Sequence, residues 1–62
     1  MPYVNIRVAG KLSRIQKENI CKGVTEVIAR EAAKPPESIL IFIDEIEHDN
    51  IAKGGSLLQT PE

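Results

Sequence analysis

Two β-branched segments separated by one amphipathic helical stretch constrain this chain more than any other feature. Residues Pro2 to Val8 alternate, with Pro2, Val4, Ile6 and Val8 on one face and Tyr3, Asn5 and Arg7 on the other. Period two with Val and Ile predicts a strand with one buried face. Ser38 to Ile46 predicts a second strand, and its unbroken apolar run Ile39-Leu40-Ile41-Phe42-Ile43 implies burial on both faces. Strand, helix and strand in that order predict a βαβ unit with parallel strands and a right-handed crossover.

The helix between them has a readable start and stop. Ala9-Gly10-Lys11-Leu12 is a connection with a glycine breaker. Ser13-Arg14-Ile15-Gln16 spells a capping box, in which serine and glutamine satisfy each other's backbone N–H groups. Ile20, Val24, Val27, Ile28 and Ala32 follow helical spacing, joined by Ile15 near the start, and Arg14, Lys17, Glu18, Lys22, Glu26 and Arg30 form the opposite face. Glu18 with Lys22 and Glu26 with Arg30 stand in the favourable i, i+4 order. Gly23 in the helix interior suggests close packing on the sheet or on a neighbouring subunit. Pro35-Pro36 ends the helix. The acidic stretch Asp44 to Asn50 leads out of the second strand into a polar turn, Ile51 to Leu58 reads as a hairpin about Gly54-Gly55, and Gln59 to Glu62 is expected to be a mobile tail.

Size turns this pattern into a problem. The chain has 62 residues, which allows one domain, residues 1–62. A domain this small buries only about 60% of its unfolded surface and usually needs disulfides, a metal or partner subunits. One cysteine, Cys21, and one histidine, His48, exclude an internal disulfide or a Cys/His zinc cluster. With 42% hydrophobic residues the composition is nonetheless globular, so the architecture is expected to depend on oligomerisation. The second face of Leu40 and Phe42 is the surface that a copy of the chain would cover.

Composition also excludes partners. A net charge of −1, with Tyr3 and Phe42 as the sole aromatics, provides neither the basic face nor the stacking platform of a nucleic-acid module. No apolar run reaches the ~20 residues that span a bilayer. No signal peptide is visible at the start, so the cytoplasm is the expected compartment.

Several side chains could carry chemistry. The acidic stretch from Asp44 to Asn50, with His48, reads as a solvated turn rather than a metal site, because its residues follow one another in sequence through a turn. Cys21 has no neighbouring histidine and reads as an inert thiol. Pro2 differs. If Met1 is trimmed, the chain begins with a prolyl secondary amine. An α-amino group has a reference pKa of ~7.7–8.0, and an apolar pocket lowers it. Such a nitrogen can act as a general base near neutral pH. Taken alone, Met-Pro is also an ordinary start.

In order and spacing the chain resembles the 4-oxalocrotonate tautomerase family of the tautomerase superfamily. The similarity lies in Met1-Pro2-Tyr3-Val4-Asn5-Ile6, Ser13 through Lys17, Val24-Thr25-Glu26-Val27-Ile28, Ile43-Asp44-Glu45 and Gly54-Gly55. The resemblance implies an α/β (α+β) fold, a βαβ unit with a short C-terminal hairpin. It implies a homo-oligomer, a hexamer built as a trimer of dimers, and a cofactor-independent isomerase that works without metal. Its catalytic residue would be Pro2, moving a proton along a small enol or 2-oxo acid in a keto–enol shift.

The chain departs from the better-known members at three positions. They carry arginines at the positions of Leu12 and Leu40 and a phenylalanine at that of Ile51. Lys11 partly replaces the first arginine, as a point charge without the bidentate fork. Lys11, Leu40 and Ile51 are therefore the expected substrate-binding positions, with Arg7 and Lys53 as other basic candidates. These departures suit a substrate less charged than a dicarboxylate. They also suit an alternative role, a catalytically weak paralogue serving as an oligomeric scaffold, a mixed-assembly subunit or a small-molecule binding module.

Overall fold

A computed structural model describes residues 1–59; the expectation of a mobile tail over 60–62 lies outside them. The elements are β1 (Tyr3–Ala9), α1 (Arg14–Ala32), β2 (Leu40–Ile46), β3 (Ala52–Lys53) and β4 (Ser56–Leu57). β1 and β2 pair in parallel, Tyr3 opposite Leu40 through Ala9 opposite Ile46. β3 and β4 form a separate antiparallel hairpin. The βαβ unit and the C-terminal hairpin expected from the sequence are both present.

Alternation along β1 is complete. Val4, Ile6 and Val8 are half-buried, and Tyr3, Asn5 and Arg7 are exposed. The register sets Ile41, Ile43 and Glu45 beside Val4, Ile6 and Val8. These side chains form the inner row, and the other row carries Tyr3, Leu40, Asn5, Phe42, Arg7 and Asp44.

The capping box forms as written. The Gln16 N–H donates to Ser13 Oγ at 3.1 Å and the Ser13 N–H donates to Gln16 Oε1 at 2.8 Å. At the other end Ala33 adopts the left-handed conformation with φ of 54° before Pro35 and Pro36. The two prolines do more than stop the helix. They drive Pro36–Ser38 into a 3-10 turn in which the Ser38 N–H and hydroxyl both donate to the Pro35 carbonyl. The second strand consequently begins at Leu40 rather than Ser38.

The helix face needs correcting too. Ile20, Val24 and Ile28 are half-buried, but so are Lys17, Cys21 and Thr25, while Ile15, Val27 and Ala32 are exposed. The ion pairs along the helix join Arg14 to Glu18, at i, i+4 in the reverse order, and Arg30 to the adjacent Glu31, rather than the two pairs expected. An added Cβ at Gly23 would meet nothing within 4 Å, so this glycine is not packed on the sheet.

Among the described residues the chain encloses almost no interior. Ile39 is its one buried hydrophobic side chain. The radius of gyration is 14.6 Å, against about 10.5 Å for a compact chain of this length. The accessible surface is 5034 Å², against roughly 4,000 Å² from the size scaling. Tyr3 and Phe42 remain 70% and 52% exposed, with Leu40 beside them. The apolar face left open in one chain is the one that sequence reasoning assigned to a partner.

Candidate functional site

Pro2 stands at the entry to β1, half-buried, and its carbonyl accepts the Leu40 N–H at 3.0 Å. This bond extends the parallel ladder by one step beyond the Tyr3–Leu40 pair. It fixes the proline at the mouth of the sheet beside the first residue of β2. On the outer row Tyr3 and Phe42 meet edge to face, ring centroids 6.2 Å apart at 81°, a favoured aromatic geometry. Pro2, Leu40, Tyr3 and Phe42 thus give this end of the sheet an apolar character. With Met1 attached, the Pro2 nitrogen is an amide and carries no basic lone pair.

The other two positions expected from the sequence to bind substrate lie elsewhere. Lys11 is exposed just after the opposite end of β1. At about 3.3 Å per residue the seven-residue strand sets it roughly 20 Å from Pro2. Ile51 is half-buried after the His48–Asn50 turn; its N–H donates to the His48 carbonyl at 3.1 Å and its own carbonyl accepts the Leu58 N–H at 2.9 Å. His48 in turn lies against Gly10, where an added Cβ would come within 3.2 Å of the ring. One chain therefore joins Pro2 with Leu40 at one end of the sheet and holds Lys11 and Ile51 near the other.

The remaining basic candidates are also settled in place. Arg7 pairs with Asp44 at 3.5 Å on the outer row, where Asn5 donates to the same carboxylate oxygen at 3.1 Å. Lys53 is exposed on β3. Its hairpin turns at Gly54 and Gly55, with φ of 61° and 86°, the two positive angles that a tight hairpin turn requires. Among the described residues no three His, Cys, Asp or Glu side chains are grouped to hold a metal ion, and no helix is long and apolar enough to cross a membrane.

Sequence reasoning missed one group. Glu45 stands on the inner row, where its register partner is Val8 and its strand neighbours on that row are isoleucines. Its Oε2 accepts the Leu12 N–H at 2.8 Å and its Oε1 pairs with Lys17 Nζ. The hydrogen-bonded Lys17 first, and the Leu12 N–H second, hold its carboxyl below the usual range, against the opposing effect of burial. The signal was present in the alternation of β2, which assigns Glu45 to the row of Ile41 and Ile43.

Comparison with known proteins places this geometry. The model of the family described as Tautomerase enzyme matches residues 2–60. A probable tautomerase K2 of Dickeya dadantii is 38% identical over 56 residues, covering 89% of this chain and 84% of its own length. The 2-hydroxymuconate tautomerase of Bacillus subtilis is 32% identical over 62 residues and 100% of both chains. Among solved structures, YwhB, a homologue of 4-oxalocrotonate tautomerase, superposes with a TM-score of 0.87 at 31% identity, over 98% of this chain and 100% of its own.

Proposed function

The chain belongs to the tautomerase family, and from that premise we propose that it is a cofactor-independent isomerase whose base is the amino-terminal nitrogen of Pro2 once Met1 is removed. The observation that carries the reading is Pro2 itself, half-buried and held at the mouth of the sheet by the Leu40 N–H, which its carbonyl accepts. An amine in such surroundings loses part of the solvation that favours its cation, which brings its proton affinity toward neutral pH. The nitrogen takes a proton from an enol hydroxyl, or from the carbon beside a carbonyl, and returns it at another atom of the conjugated system. Bonds are exchanged within one molecule, and the base ends as it began. General-base catalysis of this kind contributes typically about 10²–10⁴-fold, and groups that stabilise the developing enolate supply the rest.

Leu40 beside Pro2 supports a small enol or 2-oxo acid with one carboxylate and an apolar flank. Lys11, of the opposite end, supports a site shared between chains, in which one subunit supplies Pro2 and Leu40 and a neighbour supplies Lys11 and Ile51. A homo-oligomer, a hexamer as a trimer of dimers, is the assembly proposed, and it also covers Tyr3 and Phe42.

Ketonisation of phenylenolpyruvate tests both parts. After intact mass has established that Met1 is absent, Pro2→Ala is expected to abolish turnover; an unchanged rate refutes the base assignment. Pro2→Ala and Lys11→Ala chains, co-assembled after denaturation in equal amounts, should regain about one quarter of the intact sites if each site draws on two subunits. No recovery on mixing refutes the shared site. The lack of a guanidinium at Leu12 and Leu40 favours a second reading, a weakly catalytic scaffold, mixed-assembly subunit or binding module. Robust Pro2-dependent turnover by the purified homo-oligomer disposes of it.

A further inference from the structure

The inner row of the sheet is aliphatic except at Glu45, and an acid beneath a helix requires a reason. Its two oxygens reach different elements. One accepts the N–H of Leu12, in the connection between β1 and α1, and the other pairs with Lys17 in the first turns of α1. The connection is fixed at both of its ends as well. The Gly10 N–H donates to the Ile46 carbonyl at 2.7 Å, and Ser13 is closed into the capping box with Gln16. Lys11 is therefore the exposed residue between two backbone N–H groups, of Gly10 and Leu12, that are tied to consecutive residues of β2. Ile46 offers a main-chain carbonyl, which any residue would provide. Glu45 offers a side chain, and only a residue with an acceptor oxygen at that reach can replace it.

We propose that Glu45 is a positioning residue, whose carboxylate, by accepting from the Leu12 N–H, holds Lys11 where it meets the carboxylate of a monoanionic 2-oxo acid or enol. The inference rests on the proposed role of Lys11 in substrate binding. It assigns Glu45 no contact with substrate. Lys17 is the charged group that faces Glu45 from α1, and Lys11 adds a more distant positive charge from the connection. Lys17 keeps the carboxylate ionised and turned inward, and the Leu12 N–H converts that orientation into a position for the loop.

The test separates anchoring from mere stability. Equilibrium binding of phenylpyruvate and KM for phenylenolpyruvate are measured for wild type, Glu45→Leu, Glu45→Gln, Lys11→Ala and Glu45→Leu/Lys11→Ala, with hydrogen exchange read at the Leu12 amide. Displacing the loop in Glu45→Leu should weaken Kd and KM by about tenfold with kcat within about threefold, since misplacement of a binding group by an ångström is costly. Glu45→Gln keeps an acceptor oxygen and should restore binding and slow exchange at Leu12. The double variant should bind no worse than Lys11→Ala, because both changes remove one interaction. Should Glu45→Leu fail to fold, Glu45→Lys with Lys17→Glu replaces it: the ion pair survives, a donor faces the Leu12 N–H, and binding should be weakened equally. Unchanged binding in the substituted chain, additive losses in the double variant, equal losses with glutamine, or no phenylpyruvate binding by wild type overturns the proposal. A rate that survives Pro2→Ala refutes the base assignment alone, because these binding constants do not depend on it.

Discussion

Gly10 is the position where one methyl group should do the most damage for its size. Its φ is +97°, a conformation that L side chains rarely adopt, and an added Cβ would lie 3.2 Å from His48 Cε1. Two costs combine in Gly10→Ala. Backbone strain at such an angle is about 1–3 kcal/mol. The alanine also restricts the unfolded chain, which offsets about 0.4–1 kcal/mol. The His48 ring must then give by a few tenths of an ångström. The net expectation is a loss of about 1–2 kcal/mol, or a fall of roughly 5–15 °C in thermal midpoint for a domain of this size. Urea denaturation at fixed protein concentration measures it, because an assembling chain has a concentration-dependent midpoint. Adding His48→Ala to Gly10→Ala removes the steric part and leaves the strain, so it should recover less than half of the loss. A Gly10→Ala protein within about 0.5 kcal/mol of wild type, the ordinary range of harmless surface changes, would refute both the strain and the contact.

Gly23→Ala should act in the opposite direction. With nothing within 4 Å of the new methyl, alanine in a helix interior gains about 1 kcal/mol over glycine, and thermal unfolding should rise; a fall would mean that a neighbouring chain is seated there. Acid titration of stability should report Glu45. Its folded-state pKa is lowered, so its contribution is complete above the unfolded carboxylate value and is lost as pH falls through the lower folded one. The gap in thermal midpoint between wild type and Lys17→Met should accordingly be steady at neutral pH and close as the carboxyl is protonated; a gap unchanged in acid would refute the ion pair as its source.

What could be read from the sequence was local. Ser13 and Gln16 are three residues apart, and each meets its partner within one turn. Pro2, Val4, Ile6 and Val8 report their own face, because alternation is a property of the strand itself. The hairpin is legible for the same reason, its two glycines meeting the backbone demand of the turn. The missed features depend on register. Lys17 looks like a surface base until β2 is laid beside β1 and Glu45 comes beneath it, 28 positions later. The Gly10 and His48 contact is likewise hidden, since only the parallel crossover brings them together. The start of β2 was misplaced by two residues because the serine after Pro35-Pro36 bonds back to the Pro35 carbonyl instead of entering the ladder. Leu40 shows both sides: its apolar character was plain, and its position beside Pro2 came from the pairing of two strands.

That pairing explains why proline suits the start of this fold. Proline has no N–H in a chain, and its ring fixes φ near −65°. The strand holds Pro2 through its carbonyl, which accepts from Leu40. Removal of Met1 therefore breaks no hydrogen bond made by the Pro2 nitrogen, and the ladder on the carbonyl side is left as it was. Only the chemistry of the nitrogen changes, from an amide without basicity to a secondary amine that can accept a proton. Any other residue at position 2 would bring an amide N–H needing a partner before trimming and a freely rotating amine after it. In the role proposed for it, a base at this nitrogen would be positioned by backbone rather than by side-chain rotamers. It therefore costs little side-chain entropy to hold, a real advantage in a chain whose described residues bury a single hydrophobic side chain.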